Sequence, residues 1–256
     1  ASHVVPANEG TETVGGTKTR VLRSDLDALS SYLLSNFGYA TGPYEGYNNE
    51  TQSDKFIVRL DYNINDNHKA SLKFNSLKSS NDVLTSNSSS LGFGSRRTNT
   101  QALNYQNSNY IQNENIMSVI GEVNSKFGAN ISNNFIVGYT YQNEDRGSRG
   151  DFFPLVEIQN AGTTYITFGF EPFTPKNQLN YKTFQLQNNL SIFKGNHTIT
   201  AGFNIERFAF ENVFFPGSQS VYVYNSLQDF YNATDGNPGN DPTLRRFQLR
   251  YVNPNL

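Results

Sequence analysis

The sequence contains no cysteine and no tryptophan, and it has few charged residues. Without cysteine it has no disulfide, no thiolate nucleophile and no zinc–sulfur site. Charged residues make up 16% of its 256 residues, whereas soluble globular domains contain about a quarter. The net charge of −2 provides no basic field for nucleic acid. These absences argue against an ordinary soluble enzyme and against a nucleic-acid-binding protein.

Long apolar runs are also missing, since no stretch approaches the roughly 18 residues of a membrane-spanning helix. The chain is instead rich in neutral polar and aromatic residues, with 35 asparagines, 20 phenylalanines and 15 tyrosines. Disordered chains combine few aromatic residues with high net charge, so this composition predicts a folded protein. If the protein crosses a membrane, it must do so with β-strands.

One short helix is predicted near the N-terminus, over about residues 25–36. Four leucines recur at helical spacing and predict an apolar stripe that packs on a neighbouring element. These leucines are Leu26, Leu29, Leu33 and Leu34. Ser24, with Asp27 three residues later, is a suitable N-cap, and Gly38 ends the pattern. Residues 1–54 are therefore predicted to be an extended or loop segment that contains this helix, and residues 55–256 to form barrel hairpins.

From residue 55 onward, apolar residues occupy every second position, which predicts strands with one apolar face. The pattern gives three hairpins, over about residues 55–75, 117–142 and 183–206. Their predicted turns are Asp66–Asn67, Gly128–Asn133 and Lys194–Asn196. Four positions on the predicted apolar faces are Phe56, Leu60, Val137 and Phe203. Residues 245–252 are predicted to begin a seventh strand.

Long segments without sustained apolar periodicity follow each of these hairpins. The segments are residues 79–115, 143–180 and 211–243. Loops of this length are uncommon in compact domains, whereas outer-membrane barrels combine short turns at one end with long loops at the other. We therefore predict an all-β, antiparallel transmembrane β-barrel segment with long extracellular loops. Its apolar side chains would face lipid and its polar side chains an aqueous lumen. A soluble antiparallel sandwich has the same alternation and stays an open alternative.

Several segments resemble TonB-dependent outer-membrane receptors, and more narrowly the Oar-like branch common in Bacteroidetes. These segments are residues 20–46, 54–69, 168–172, 195–202 and 221–231. The resemblance implies part of a 22-stranded barrel in the cell outer membrane, filled by an N-terminal plug. It also implies import of a large or scarce substrate, powered through TonB, or assistance in exporting protein cargo.

The resemblance further implies partners. These are the lipid bilayer, TonB acting through the plug, protein or peptide cargo, and a surface lipoprotein like that of related SusC-type receptors. No plug and no TonB box are recognisable in this sequence, so we expect it to be part of a larger receptor. A passive porin-like or export-assisting barrel and a soluble secreted β-rich binding module are the alternative functions.

No catalytic, metal-binding or cofactor-binding constellation is found, so we expect neither enzymatic activity nor a cofactor. Charges predicted to face the lumen are Arg59, Asp61, Lys69, Lys73 and Glu206, with Arg207 as an additional candidate. Loop aromatics predicted to contact a substrate at the extracellular mouth are Phe152, Phe153, Tyr165 and Phe168. Both sets have simpler interpretations, because a wet lumen tolerates charges and aromatic rings also pack loops together.

Overall fold

The computed structural model describes residues 4–252. Its strands, in chain order, are β1 (Val5–Ala7), β2 (Lys18–Leu22), β3 (Thr51–Asn65), β4 (His68–Val83), β5 (Leu103–Asn104), β6 (Tyr110–Phe127), β7 (Ile131–Ser148), β8 (Leu155–Asn160), β9 (Thr163–Phe168), β10 (Gln178–Lys194), β11 (His197–Val213), β12 (Val221–Tyr224) and β13 (Arg246–Gln248). The helices are α1 (Arg23–Phe37) and α2 (Leu227–Asn232), and Gln106–Ser108 form a 3₁₀ turn.

Six strands form the large sheet, in the order β11-β10-β7-β6-β4-β3. Every neighbouring pair in it is antiparallel. The three predicted hairpins are confirmed, as β3–β4, β6–β7 and β10–β11. The middle turn is shorter than predicted, because β7 already begins at Ile131. In the described part of the chain, β3 and β11 each pair along one edge only.

The strands of the large sheet extend beyond the segment that shows clean alternation. β6 and β7 have 18 residues each, and the other four have 15 to 17. The predicted loops 79–115 and 143–180 are therefore too long at both ends. The strand ends were missed because polar residues predominate on both of their faces there, which interrupts the apolar periodicity on which the prediction depended.

A second sheet, the loop sheet, has the order β13-β12-β8-β9-β5. Its strands come from all three long segments, and β12 pairs in parallel with β8, as β5 does with β9. The prediction of a seventh barrel strand over residues 245–252 was wrong. This stretch contributes only the three-residue β13, which pairs with β12 in the loop sheet.

Helix α1 packs on the loop sheet through a stripe of leucines. Leu26, Leu29 and Leu33 are fully buried, whereas Leu34 is 58% exposed and lies outside the stripe. The predicted N-cap was wrong, because the helix already begins at Arg23 and no side chain caps it. Gly38 ends the helix as predicted. It adopts the left-handed conformation, with a φ of 66°, and its amide donates to the Leu34 carbonyl.

The N-terminal segment and the long loops share one hydrophobic core. Side chains from α1, β5, β8, β9, β12 and α2 meet in it, among them Leu29, Leu103, Ile158, Phe168 and Phe230. We call residues 4–50, 84–109, 149–177 and 214–252 together the loop module. The chain thus has two parts, a large sheet with short turns at one end and a packed loop module joined to its other end.

Among residues 4–252, neither helix is both long enough and apolar enough to cross a membrane.

Candidate functional site: the faces of the large sheet and the loop module

Strand register divides the side chains of the large sheet between two faces. Residues that pair directly across strands point to the same face. One such row crosses the whole sheet and consists of Leu60, Leu72, Gly121, Val137, Leu186 and Ile205. We call the side that carries this row the apolar face and the opposite side the polar face.

The apolar face is open, not sealed inside the protein. Phe56 is 58% exposed, Leu60 64%, Val137 36% and Phe203 49%. A soluble sandwich would cover these side chains with a second sheet. The loop sheet does not do so, because its own core residues pack against α1 and α2. An exposed apolar surface of this extent needs an apolar environment.

The apolar face has the height of a lipid bilayer core. Along β6 its outward residues run from Phe127 to Met117, about 11 residues. At about 3.3 Å per residue and a tilt of about 40°, this band is roughly 25 Å tall, which matches outer-membrane barrels. Polar residues interrupt the band near the short turns, where Ser125 and Asn133 pair.

At the loop end, the outward side chains of all six strands turn polar in one row. This row consists of Asp54, Lys78, Asn115, Asn143, Asn180 and Glu211. Two groups bond to the Asn180 side-chain oxygen: the Asn143 amide donates to it at 2.6 Å and the Tyr141 hydroxyl at 3.2 Å. The polar row marks the position along each strand at which the outward surface leaves an apolar environment.

All five charges predicted to face the lumen lie on the polar face. Arg59 and Asp61 form an ion pair, with 2.9 Å between Nη2 and Oδ1. Lys73 pairs with Arg59 in the register, so these three charges are neighbours. Lys69 is the diagonal neighbour of Asp61, one row nearer the short turns, whereas Glu206 lies at the far edge of the sheet opposite Gln185. The sheet therefore brings four of the five together and leaves Glu206 apart.

Arg207, the additional lumen candidate, points the other way. It pairs with Phe184, which pairs in turn with Tyr139, and both aromatic residues belong to the apolar face. The lumen interpretation of Arg207 was therefore wrong. The alternation along β11 places Arg207 beside Ile205, on the side that carries the apolar band.

Uncharged amides and hydroxyls make up much of the remaining polar face. The Asn134 side chain donates to Glu122 at 2.7 Å and to Asn124 at 2.9 Å. The hydroxyls of Ser191 and Thr200 lie 2.8 Å apart. These groups form a hydrated surface, which is the chemistry of a water-filled lumen.

Most of the predicted substrate-contacting aromatics are part of the loop core. Phe168 is fully buried and Tyr165 is 4% exposed, so neither side chain is accessible to a substrate. Phe153 stacks on Tyr39, with ring centroids 4.3 Å apart. Phe152 is 64% exposed and stays a prediction. Alternation alone could not show that the loops have their own core.

The loop module also contains a buried ion pair that sequence reasoning missed. Arg96 bonds to Glu157, and neither side chain is exposed to solvent. Glu157 also accepts from the backbone amide of Phe93 at 2.7 Å, and Arg96 donates to the carbonyl of Ser86 at 2.6 Å. A single carboxylate between the apolar residues Val156 and Ile158 was the signal in the sequence that could have revealed it.

Arg20 and buried tyrosines join the N-terminal segment to the loop sheet. The Arg20 guanidinium donates to the carbonyl of Gln101 at 2.9 Å and to the hydroxyl of Thr163 at 2.7 Å. The Tyr165 hydroxyl donates to Asp25 at 2.8 Å and accepts from the Leu22 amide. Burial raises the pKa of Tyr165 and also the pKa of Tyr39.

The loop module contains a cavity of about 430 Å³, partly lined by Tyr44, Glu45, Tyr47 and Asn104. Glu45 is occupied by an ion pair with Arg23. Within residues 4–252, no three histidine, aspartate or glutamate side chains gather as metal ligands would.

Comparison with known proteins identifies the class. The profile of the outer membrane beta barrel domain family matches residues 6–248, and the chain belongs to this family. The protein is located in the cell outer membrane, and its apolar face meets the lipid bilayer there.

Among solved structures, the chain is similar to the outer membrane transporter YddB from Escherichia coli, with 12% identity and a TM-score of 0.45. The match covers 69% of this chain and 21% of that transporter, so the chain spans about a fifth of its length. No curated protein matches the sequence.

Proposed function

We propose that this chain is part of a TonB-dependent outer-membrane receptor that moves a large or scarce substrate across the outer membrane. The observation that carries the proposal is the loop module. The N-terminal segment and all three long loops pack into one body with a shared core at the loop end of the sheet. A passive pore needs an open mouth, whereas a receptor needs a structured surface on which to capture its substrate.

The open edges of the large sheet support a larger barrel. β3 and β11 have 15 and 17 residues and each leaves one edge unpaired in the described chain. Unpaired backbone amides and carbonyls cost several kcal/mol each in hydrocarbon. We therefore propose that further strands of the same barrel pair with both edges. The complete barrel in this proposal has 22 strands, the number that the resemblance to TonB-dependent receptors implies.

The polar face supports a wet lumen filled by a plug. Arg59, Asp61 and Lys73 are neighbours on this face and are available to contact a plug or a passing substrate. Lys69 is next to Asp61, and Glu206 lies elsewhere on the same face. In this proposal TonB acts on the plug, and protein or peptide cargo and a surface lipoprotein are the partners at the outside. The proposed role is transport without an enzymatic step.

Conductance separates a plugged receptor from a passive porin. The full-length gene product, purified from outer membranes, is inserted into planar lipid bilayers. We expect little conductance at first, and a large increase when urea unfolds the plug while the barrel persists. Large conductance without urea would overturn the plugged receptor in favour of a porin.

Binding of TonB is tested separately, with the purified periplasmic domain of TonB and the same full-length protein. We expect a complex that is lost when the segment preceding the plug is deleted. A plugged barrel that binds no TonB would overturn the TonB-dependent function and leave export assistance as the remaining role.

A further inference from the structure

The apolar face carries two cations, Lys182 and Arg207, at its boundary with the polar row. Lys182 pairs with Ala209 on β11 and Arg207 pairs with Phe184 on β10, so the two are diagonal neighbours on adjacent strands. Diagonal positions on one face are roughly 7–8 Å apart at their Cβ atoms. Both side chains are exposed. Long flexible side chains at this spacing can converge on a single anion.

Neither cation has an anionic partner within the described chain. The salt bridges among residues 4–252 include neither of them, and no aromatic ring lies under the Arg207 guanidinium. Glu211 is on the same face two residues beyond Ala209, but it makes no ion pair with Lys182. Within the described chain these two charges are therefore not balanced by an ion pair, and both side chains are accessible to an anion of the surrounding lipid.

The height of the pair in the membrane identifies those surroundings. Lys182 shares its row with Tyr141, whose hydroxyl reaches Asn180 in the polar row. Arg207 is one row deeper, beside the aromatic pair of Tyr139 and Phe184. Aromatic girdles mark the interface of a barrel with lipid head groups, and long cationic side chains extend towards that level. Because the loops define the extracellular end, the pair meets the outer leaflet.

We propose that Lys182 and Arg207 bind the phosphate of an outer-leaflet lipid head group. A phosphate offers several acceptor oxygens, the Arg207 guanidinium can bind two of them, and the Lys182 ammonium adds a point charge. The acyl chains of the same lipid then lie on the apolar residues below. The site fixes one lipid against β10 and β11 and so sets the height of the loop module above the membrane.

Native mass spectrometry of the full-length protein in detergent tests this site. The probes are phosphatidic acid, which carries an exposed phosphate, and phosphatidylcholine, which presents a zwitterionic head group. We expect the first molecule of phosphatidic acid to bind roughly tenfold more tightly than the first molecule of phosphatidylcholine. The reason is the electrostatic attraction between the two cations and the anionic head group. The K182Q/R207Q variant should lose this preference, and the conservative K182R/R207K variant should keep it.

A matched control removes two positive charges from the other side of the sheet. Lys55 and Lys73 lie on the polar face, and the register places their rows one residue from the rows of Lys182 and Arg207. K55Q/K73Q should therefore keep the preference for phosphatidic acid. Migration in unheated gels shows whether each variant barrel is folded, and only folded variants are compared.

Three results would overturn the proposal. The first is a wild-type protein without preference, and the second is a preference that K182Q/R207Q retains or K55Q/K73Q also loses. The third is displacement of bound phosphatidic acid by inorganic phosphate at equal concentration, which would show a site for the free ion instead of the lipid. None of these results bears on TonB binding or conductance, so the proposed transport function is tested independently.

Discussion

Arg96 and Glu157 form an ion pair in which both side chains are completely withdrawn from solvent. They join the first long loop to the loop sheet, because Arg96 follows β4 and Glu157 lies in β8. Burying two charges is costly, and this cost is offset only while each charge has its partner and its hydrogen bonds. The pair therefore makes the fold of one loop depend on the fold of the next.

Arg96→Met is expected to destabilise the loop module by about 3–5 kcal/mol, because Glu157 would keep a buried charge without its cation. Hydrogen exchange of backbone amides in β8 and β9 measures the loss. Arg97→Met is the control, since Arg97 is exposed and its side chain makes one hydrogen bond, to the Thr85 carbonyl at 2.8 Å. Equal protection in the two variants would contradict a structural role for the buried pair.

Val137→Arg is expected to lower the free energy of unfolding in lipid vesicles by about 2–4 kcal/mol, because Val137 lies in the middle of the apolar face. Ile136→Arg is the matched control, one residue earlier in β7 and on the polar face beside Glu122. It should cost little, since water reaches that side. Urea unfolding of the full-length protein measures both. Equal costs would contradict the assignment of the two faces to lipid and lumen.

High pH should unfold the loop module. Burial raises the pKa of Tyr224 to about 12, and it also raises the pKa of Tyr105. The unfolded value is about 10, so the stabilisation is fully present below pH ~10 and is lost as pH rises through the folded pKa. Near-ultraviolet circular dichroism and tyrosinate absorbance should change together between about pH 10 and 12.

Tyr224→Phe should reduce this alkaline loss by on the order of 2 kcal/mol, because phenylalanine keeps the packing and has no proton to release. The residue is 7% exposed, so its ring must stay in the core. A variant that unfolds at the same pH as the wild-type protein would show that this tyrosine does not contribute.

Gly169→Ala should destabilise the loop module far more than Gly162→Ala. Both glycines have positive φ, 95° and 78°, but a Cβ at Gly169 would overlap the carbonyl oxygen of Pro154, whereas a Cβ at Gly162 meets nothing. Alanine at Gly162 should cost about 1 kcal/mol from backbone strain alone. Limited proteolysis of the loops compares the two. Similar cleavage rates would contradict the close approach of Gly169 to Pro154.

The sequence by itself determined the three hairpins of the large sheet and the face that most of their side chains take. A period of two depends only on the alternation of side chains along a strand, so Phe56, Leu60, Val137 and Phe203 could be placed together before any coordinates. A separate local rule, that a glycine ends a helical pattern, predicted the end of α1 at Gly38. Arg207 was assigned to the lumen because of its residue type, although the alternation along β11 places it on the apolar side.

Only the tertiary structure decided what the long loops do. The loop sequences around Phe168, Tyr165 and Glu157 have no periodicity that predicts a hydrophobic core. Each loop contributes only short strands to the loop sheet, and the other strands of that sheet are far away in sequence. Register across six strands likewise aligned the polar row. Such contacts arise from pairing between distant segments, whose free energy depends on the whole assembly and leaves no local pattern in the chain.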